Sequence, residues 1–299
     1  MKIIIAAGTG FLGKILTNHF KDHELIVLSR AERPRTSQIK YVKWDAKTIG
    51  TWQKELEHAD VLINLAGKSV DCRYTKQNKA AIRSSRIEST EVLNAALLAC
   101  ENPPKHFINA STARIYKHSE TKEMDEKYGE IGSDFSMDVA KDWEATFYGT
   151  LTPHTLKTAA RIGIVLGKNG GAFVPLQQIT KCGFGGKCGK GTQFISWIHE
   201  VDFAKAISFI IKNKIGGSVN LVSPKPTKNE EFMQKLSANL GVKFGIPIPE
   251  WLLKFGAVLI RTEGELLLKS RNVIPGRLKE HHFSFEFGNI DAALKNLTT

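Results

Sequence analysis

The chain has 299 residues, 42% hydrophobic and 24% charged, the composition of a folded protein with a full core rather than a disordered or collagen-like one. Lys and Arg number 42 against 30 Asp and Glu, a net charge of +12, yet they form no block of five or six. That spread argues against a nucleic-acid binder and suits a basic surface that receives anionic small molecules.

No apolar run reaches the ~20 residues of a membrane-spanning helix. The nearest, Trp251 to Ile260, is short and carries Lys254 and Gly256. The chain runs straight into a strand without a basic leader or cleavage region, so a cytoplasmic protein is expected. Cys72, Cys100, Cys182 and Cys188 include no Cys-x-x-Cys pair, which points to free thiols and no metal site.

Lys2 to Gly13 reads as a strand, a glycine turn and a helix start. Ile3, Ile4 and Ile5 show no apolar–polar alternation, as in a buried parallel strand. Gly8, Thr9 and Gly10 then let the backbone turn tightly, and Phe11 and Leu12 open a helix that continues through Leu16 and Phe20. A strand, glycine turn and helix N-terminus together form a backbone anion site, whose expected guest is a dinucleotide pyrophosphate. A glycine turn can also serve a purely structural end.

A second strand, Leu25 to Arg30, ends twenty positions after Gly10. An NAD-selective fold places an acidic residue there to bind the ribose 2′-hydroxyl. Arg30 suits a 2′-phosphate instead, with Arg33 and Arg35 close behind, so NADP is favoured over NAD. Read alone, Arg30 is equally a surface-loop arginine.

Further strands are expected at Tyr41–Trp44, Ala59–Gly67 and His106–Ser111. The small end of the second of these (Leu65, Ala66, Gly67) permits close backbone approach to a ligand. Between them Thr75 to Glu101 reads as one helix, basic in its first half (Lys76, Lys79, Arg83, Arg86) and apolar at helical spacing in its second. Its basic half is a dimer face or a solvated one. A polar loop precedes a helix from Ser136 to Tyr148, and Leu156 to Leu166 reads as a sixth strand containing Arg161.

This alternation predicts an α/β, Rossmann-type doubly wound parallel sheet. From Gly167 the texture changes to glycine clusters and mixed elements. We therefore divide the chain into a nucleotide-binding domain, residues 1–166, and a smaller mixed α/β lobe, residues 167–299, partly intertwined with it. In that lobe Phe194–His199 reads as a strand, Val201–Ile211 as a helix, and Thr227 to Glu230 as a capping box. A helical region after Pro249 and a terminal helix, Ile290–Leu297, complete it.

Several segments in order resemble the extended short-chain dehydrogenase/reductases. More closely, they resemble an atypical branch of NAD(P)-dependent epimerase-like proteins with a distinctive C-terminal domain. They are Gly8-Thr9-Gly10-Phe11-Leu12-Gly13, Val61 to Gly67, Ser85 to Thr90, Arg161 to Gly167, Gly170-Gly171, Ser196 to His199 and Asn272 to Pro275. The resemblance implies a Rossmann fold, bound NAD(P) and a sugar-nucleotide-like substrate class. It places a substrate-binding hydroxyl at Ser111 and Thr112, after the fifth strand.

Two departures matter. Ala7 stands where the family's first turn glycine falls, a change that Gly8 is expected to absorb. The family's Tyr-x-x-x-Lys pair is missing: no tyrosine here has a lysine four positions on, and the matching positions are Ser136 and Ala140. Tyr116 is the remaining acid/base candidate, although a tyrosine after a strand is more often a packed aromatic. Arg86 and Arg161 are candidates for cofactor phosphates, or for pairing with carboxylates. His199 and Asp202 read as structural, and the Gly183–Gly191 loop as a substrate cover or a surface hairpin.

The function expected is an NADP-dependent epimerase or oxidoreductase acting on a small anionic, nucleotide-linked substrate. The alternative is an NADPH-binding partner protein without redox catalysis.

Overall fold

The computed structural model describes residues 1–243, 245–251 and 269–299. Strand β1 (Lys2–Ala6) lies inside a seven-stranded sheet, where Ile3, Ile4 and Ile5 are fully buried between its two faces. Burial of each such side chain contributes about 1.5–3 kcal/mol. On one side of β1 stand β2 (Glu24–Ser29) and β3 (Ile39–Lys43). On the other stand β4 (Val61–Asn64), β5 (His106–Thr112), β6 (Leu156–Ile162) and β11 (Gly217–Leu221). All neighbours are parallel. The order β11-β6-β5-β4-β1-β2-β3 turns back on itself between β1 and β4, and ligands of open α/β sheets bind outside the carboxyl ends at such a point. The Rossmann-type fold read from the alternation is therefore present.

Helices α1 (Phe11–His19) and α5 (Glu200–Lys212) cover one face, with Leu16, Phe203 and Ile207 packed on Ile3, Ile5 and Val27. Helices α2 (Lys76–Leu98) and α3 (Phe135–Gly149) cover the other, where Leu93, Leu97 and Phe147 meet Ile4, Ile26 and Phe107. Both of these start on a side-chain cap, from Thr75 to the Asn78 N–H and from Asp134 to the Met137 N–H.

The smaller lobe has a three-stranded sheet of β7 (Ile164–Gly167), β8 (Gly170–Gly171) and β10 (Trp197–His199). Beside it β9 (Phe194–Ile195) pairs with β12 (Thr227–Lys228). Helices α4 (Phe173–Lys181), α6 (Asn229–Asn239), α7 (Gly276–Glu280) and α8 (Ile290–Thr298) complete the described part. Its own core joins Leu166, Phe173, Trp197, Phe232 and Leu294. The chain re-enters the large sheet at β11, which ties the two halves together. Beyond Trp251, the apolar run to Ile260 and the helical region expected after Pro249 lie outside the described residues.

Four local expectations need correction. The strand read as unbroken from Leu156 to Leu166 changes sheets at Gly163, where a Cβ would lie 2.7 Å from the Ser196 carbonyl oxygen. Phe194 to His199 likewise divides at Ser196, whose hydroxyl donates to the Arg271 carbonyl and accepts from the Val273 N–H. Thr227 does not cap α6. Its hydroxyl accepts the Trp197 indole N–H at 3.0 Å, and the first N–H groups of α6 go instead to the carbonyls of Gln193 and Gly191.

The fourth concerns the turn. Ala7 itself takes the left-handed conformation, φ +58°, at a cost of about 1–2 kcal/mol for an L-residue. Gly8 is small for a different reason: a Cβ there would lie 2.9 Å from Ile5 Cγ2.

His106 begins β5 and is 4% exposed. The Thr158 hydroxyl donates to the Ile215 carbonyl at 2.6 Å, so His106 Nε2 carries the proton of their 2.7 Å bond. Burial pushes this imidazole down from 6.5 to about 4. The unfolded chain takes up a proton below the upper value and the folded chain only below the lower. Stability is therefore lost as pH falls through that window, by about 3 kcal/mol in all. His106→Gln is expected to flatten this loss in urea titrations compared at about pH 7 and about pH 4.5. An unchanged slope would remove His106 as its source.

Candidate cofactor and active site

The turn after β1 is built to leave backbone donors open. Gly10 stands at the N-cap of α1, which has no side-chain cap and no acidic residue in its first turn. Among the described residues no hydrogen bond takes up the N–H groups of Thr9, Gly10, Phe11 or Leu12. A Cβ on Gly10 would meet nothing within 4 Å, so this side of the turn is open space. Gly13 works on the opposite side, where a Cβ would come within 2.2 Å of the Gly8 carbonyl oxygen. Its absence lets α1 lie directly on the turn and aim its N-terminus over the sheet edge. Phe11 anchors the helix by its ring, against which Gly167, Gly170 and Gly171 close with no room for a side chain. The arrangement fits an anion, and specifically a pyrophosphate, better than any internal partner.

Arg30 follows β2 and is exposed. It lines a recess of about 430 Å³ with Lys43, Trp44, Asp45 and Thr48, beyond the carboxyl ends of β2 and β3. Lys43 is held by Glu32 at 2.8 Å, and both Asp45 oxygens are occupied by Lys47 and Thr48. Arg30 has no carboxylate partner among the described residues.

Beside the turn, the Leu65 N–H joins the Ala6 carbonyl and the Ala66 N–H joins Asn64 Oδ1, fixing Leu65, Ala66 and Gly67 at the mouth of the cleft. Asn64 in turn donates to Asn109 on β5 at 2.8 Å. Gly67 lacks a Cβ where the Arg86 guanidinium packs, about 3.2 Å from the ideal Cβ position. That guanidinium lies over the Trp143 ring at 5.1 Å and donates to the carbonyls of Lys68 and Ile82.

Ser111, Tyr116 and Arg161 are brought together, but around a carboxylate rather than around open space. Glu144 of α3 receives Arg161 Nε at 2.9 Å and Nη2 at 2.7 Å, and also the Ser111 hydroxyl at 2.6 Å. Arg161 Nη1 donates to the Tyr116 oxygen at 2.7 Å, and the Tyr116 hydroxyl donates to Asn220 at 3.0 Å. Burial works against the Arg161 charge, but Glu144 outweighs it and holds the guanidinium above its ordinary value. Burial pushes the Tyr116 phenol up to about 12 against the pull of Arg161. In a parallel strand adjacent side chains face opposite ways, and Thr112 is the hydroxyl left half-exposed at the end of β5.

Residues 3–140 match the NAD dependent epimerase/dehydratase family, and residues 248–297 match a domain of unknown function, DUF1731. The human epimerase family protein SDR39U1 is 31% identical over 305 residues, covering 99% of each chain. The chain belongs to the epimerase family. The Bacillus subtilis epimerase family protein YfhF is 32% identical, over 99% of this chain and 98% of that one. Among solved structures, human SDR39U1 isoform 2 with NADPH has a TM-score of 0.90 at 30% identity, covering 100% and 99% of the two chains. The nucleoside-diphosphate sugar epimerase from Corynebacterium glutamicum has a TM-score of 0.78 at 27% identity, and this chain covers 58% of it.

Within this epimerase-family chain, His199 and Asp202 serve structure. His199 Nδ1 caps α5 at Val201, and the Asp202 carboxylate receives the N–H groups of Glu286 and Phe287. The glycine-rich loop is tied to the Ile246–Ile248 segment through Gly183, Gly186, Lys187 and Gly189. Glu144, Asn64 and Asn109 escaped the sequence reading. Their signal was a polar side chain in an otherwise buried apolar element.

Proposed function

We propose that this epimerase-family protein is an NADP-dependent epimerase or oxidoreductase acting on a small anionic, nucleotide-linked substrate. The turn after β1 carries the reading, because its unclaimed N–H groups and open Gly10 face suit a pyrophosphate. The structural similarity to human SDR39U1 with NADPH supports it. Gly8, Thr9, Gly10, Phe11 and Leu12 would hold the pyrophosphate through backbone N–H groups and the α1 dipole. Arg30, helped by Arg33 and Arg35, would face the 2′-phosphate. Leu65, Ala66 and Gly67 would line the cofactor, and Arg86 would add a second positive charge beside them. Bound there, the cofactor supplies hydride chemistry. Thr112 presents a half-exposed hydroxyl at the substrate end, its oxygen already accepting the Arg114 N–H at 3.2 Å, while Ser111, Tyr116 and Arg161 hold the ends of β5 and β6 around Glu144.

Titration with NADPH and NADH, followed by nicotinamide fluorescence, tests the reading. NADPH is expected to bind tighter by tenfold or more, about 1.4 kcal/mol at the least. Equal affinities would remove the NADP assignment, and no binding would remove the whole reading. A second reading, an NADPH-binding partner protein without redox catalysis, draws support from one observation. Both hydroxyls first assigned to catalysis, Ser111 and Tyr116, are buried and bonded inside the protein.

A further inference from the structure

Arg86 is a half-buried cation held only by neutral groups. Its Nη1 donates to the carbonyls of Lys68 at 3.1 Å and Ile82 at 2.8 Å, and its guanidinium lies over the Trp143 ring at 5.1 Å. The carboxylates nearest to it along α2 and α3 are engaged elsewhere: Glu88 with Lys47, Asp142 with Arg83 and Glu144 with Arg161. The side chains joined at the ends of β4 and β5 are neutral as well. Trp143 donates to Thr90 at 2.9 Å, and Asn64 donates to Asn109 at 2.8 Å. Carbonyl dipoles and a ring face fix the guanidinium in place without cancelling its net charge. A cation taken from water without a counter-charge is costly, and such groups collect where a site uses them.

The sheet order sets which part of a dinucleotide meets this charge. Arg30 follows β2, on one side of β1, while Arg86 packs on Gly67 past the end of β4, on the other. A pyrophosphate on the turn after β1 sends one nucleoside to each side. With the adenosine 2′-phosphate at Arg30, the nicotinamide half reaches over the ends of β4 and β5, toward Arg86. That half differs in charge between the two redox states. The ring is cationic in NADP⁺ and neutral in NADPH.

We propose that Arg86 makes the cleft selective for the reduced cofactor, its fixed charge disfavouring the cationic ring of NADP⁺. This selection rests on the NADP reading, which places the cofactor at the turn and Arg30. An unpaired like charge rejects one ligand without adding a contact to the other. In a partly buried cleft, where water screens poorly, such repulsion changes an affinity by about tenfold or more. Each tenfold preference for the reduced form raises the potential of the bound couple by about 30 mV, so the protein holds its cofactor as NADPH. A phosphate contact would act differently. The phosphates carry the same charge in both forms, so losing such a contact weakens both alike.

Nicotinamide fluorescence measures NADPH binding to the full chain, and displacement of NADPH by NADP⁺ gives the second affinity. The native protein is expected to bind NADPH tighter than NADP⁺ by about tenfold or more. Arg86→Met should bring the two affinities within about threefold of each other, and Arg86→Lys should keep most of the preference. Arg30→Asp, as a control on the phosphate side, should weaken both forms and leave their ratio unchanged. A native ratio near one overturns the proposal without any variant, which keeps it testable if Arg86→Met fails to fold. A folded Arg86→Met protein that keeps the native ratio, or loses both forms equally, overturns it too. In each of these cases the cofactor reading stands, because NADPH still binds the native chain. If neither form binds the native chain, both fall together.

Discussion

Arg161→Met is expected to cost about 3–5 kcal/mol of stability while leaving the NADPH affinity of the folded protein within about twofold. The first number follows from what the substitution leaves behind. Glu144 is buried to 8% exposure, and Arg161 supplies two of its close hydrogen bonds. Without the guanidinium, a carboxylate stays in the interior with Ser111 and a more distant Ser218 as donors. The second number follows from direction. Arg161 spends Nε and Nη2 on Glu144 and Nη1 on Tyr116, which leaves little reach toward a phosphate. Guanidinium unfolding would measure the loss, and less than about 1 kcal/mol would mean the pair is not the fastening described. The double variant Arg161→Met, Glu144→Leu should recover at least half, because removing both charges abolishes the desolvation cost of either alone. A large loss of NADPH affinity in a folded Arg161→Met protein would instead return Arg161 to the cofactor.

This network shows where reading the sequence reached its limit. The large sheet was legible because Ile3–Ile5, Leu25–Leu28 and Val61–Ile63 are continuous apolar runs, and only a strand buried on both faces needs that. The turn was legible because glycine at 8, 10 and 13 is costly anywhere that backbone proximity does not demand it. The three glycines nonetheless do different work, and the left-handed residue among them is Ala7. Strand ends were harder. Gly163 and Ser196 break two strands through contacts made 33 residues apart in the chain, which no local pattern encodes. Ser111 and Thr112 are neighbours with similar hydroxyls, and only the pleat decides that the first turns in to Glu144. Glu144 itself looks like any helical glutamate until Arg161 arrives from β6. Polar networks join residues far apart in sequence, so their members lack a periodic signature.

Arg30→Asp is expected to weaken NADPH on the order of 100-fold, about 2.7 kcal/mol, while NADH binding holds or improves slightly. Arg30 is exposed and has no carboxylate partner among the described residues, so its loss should change folding by no more than about 0.5 kcal/mol. Almost all of the effect should then appear in binding. A charge-assisted hydrogen bond to phosphate contributes about 1.5–3 kcal/mol, and an aspartate adds repulsion to what is lost. The recess beside Arg30 leaves little to compensate, since Lys43 is engaged with Glu32. Arg33 and Arg35 are the other exposed cations of the loop, and they set how far the measured value falls short. The gap between the two cofactors should also narrow at high salt, because an exposed arginine and an exposed phosphate are screened. An unchanged NADPH-to-NADH ratio in Arg30→Asp would take the 2′-phosphate away from this position. If the triple variant with Arg33→Ser and Arg35→Ser were equally unaffected, it would leave the loop altogether. The pyrophosphate site at Gly8–Leu12 would stand in either case, because it depends on backbone groups that none of these substitutions touches.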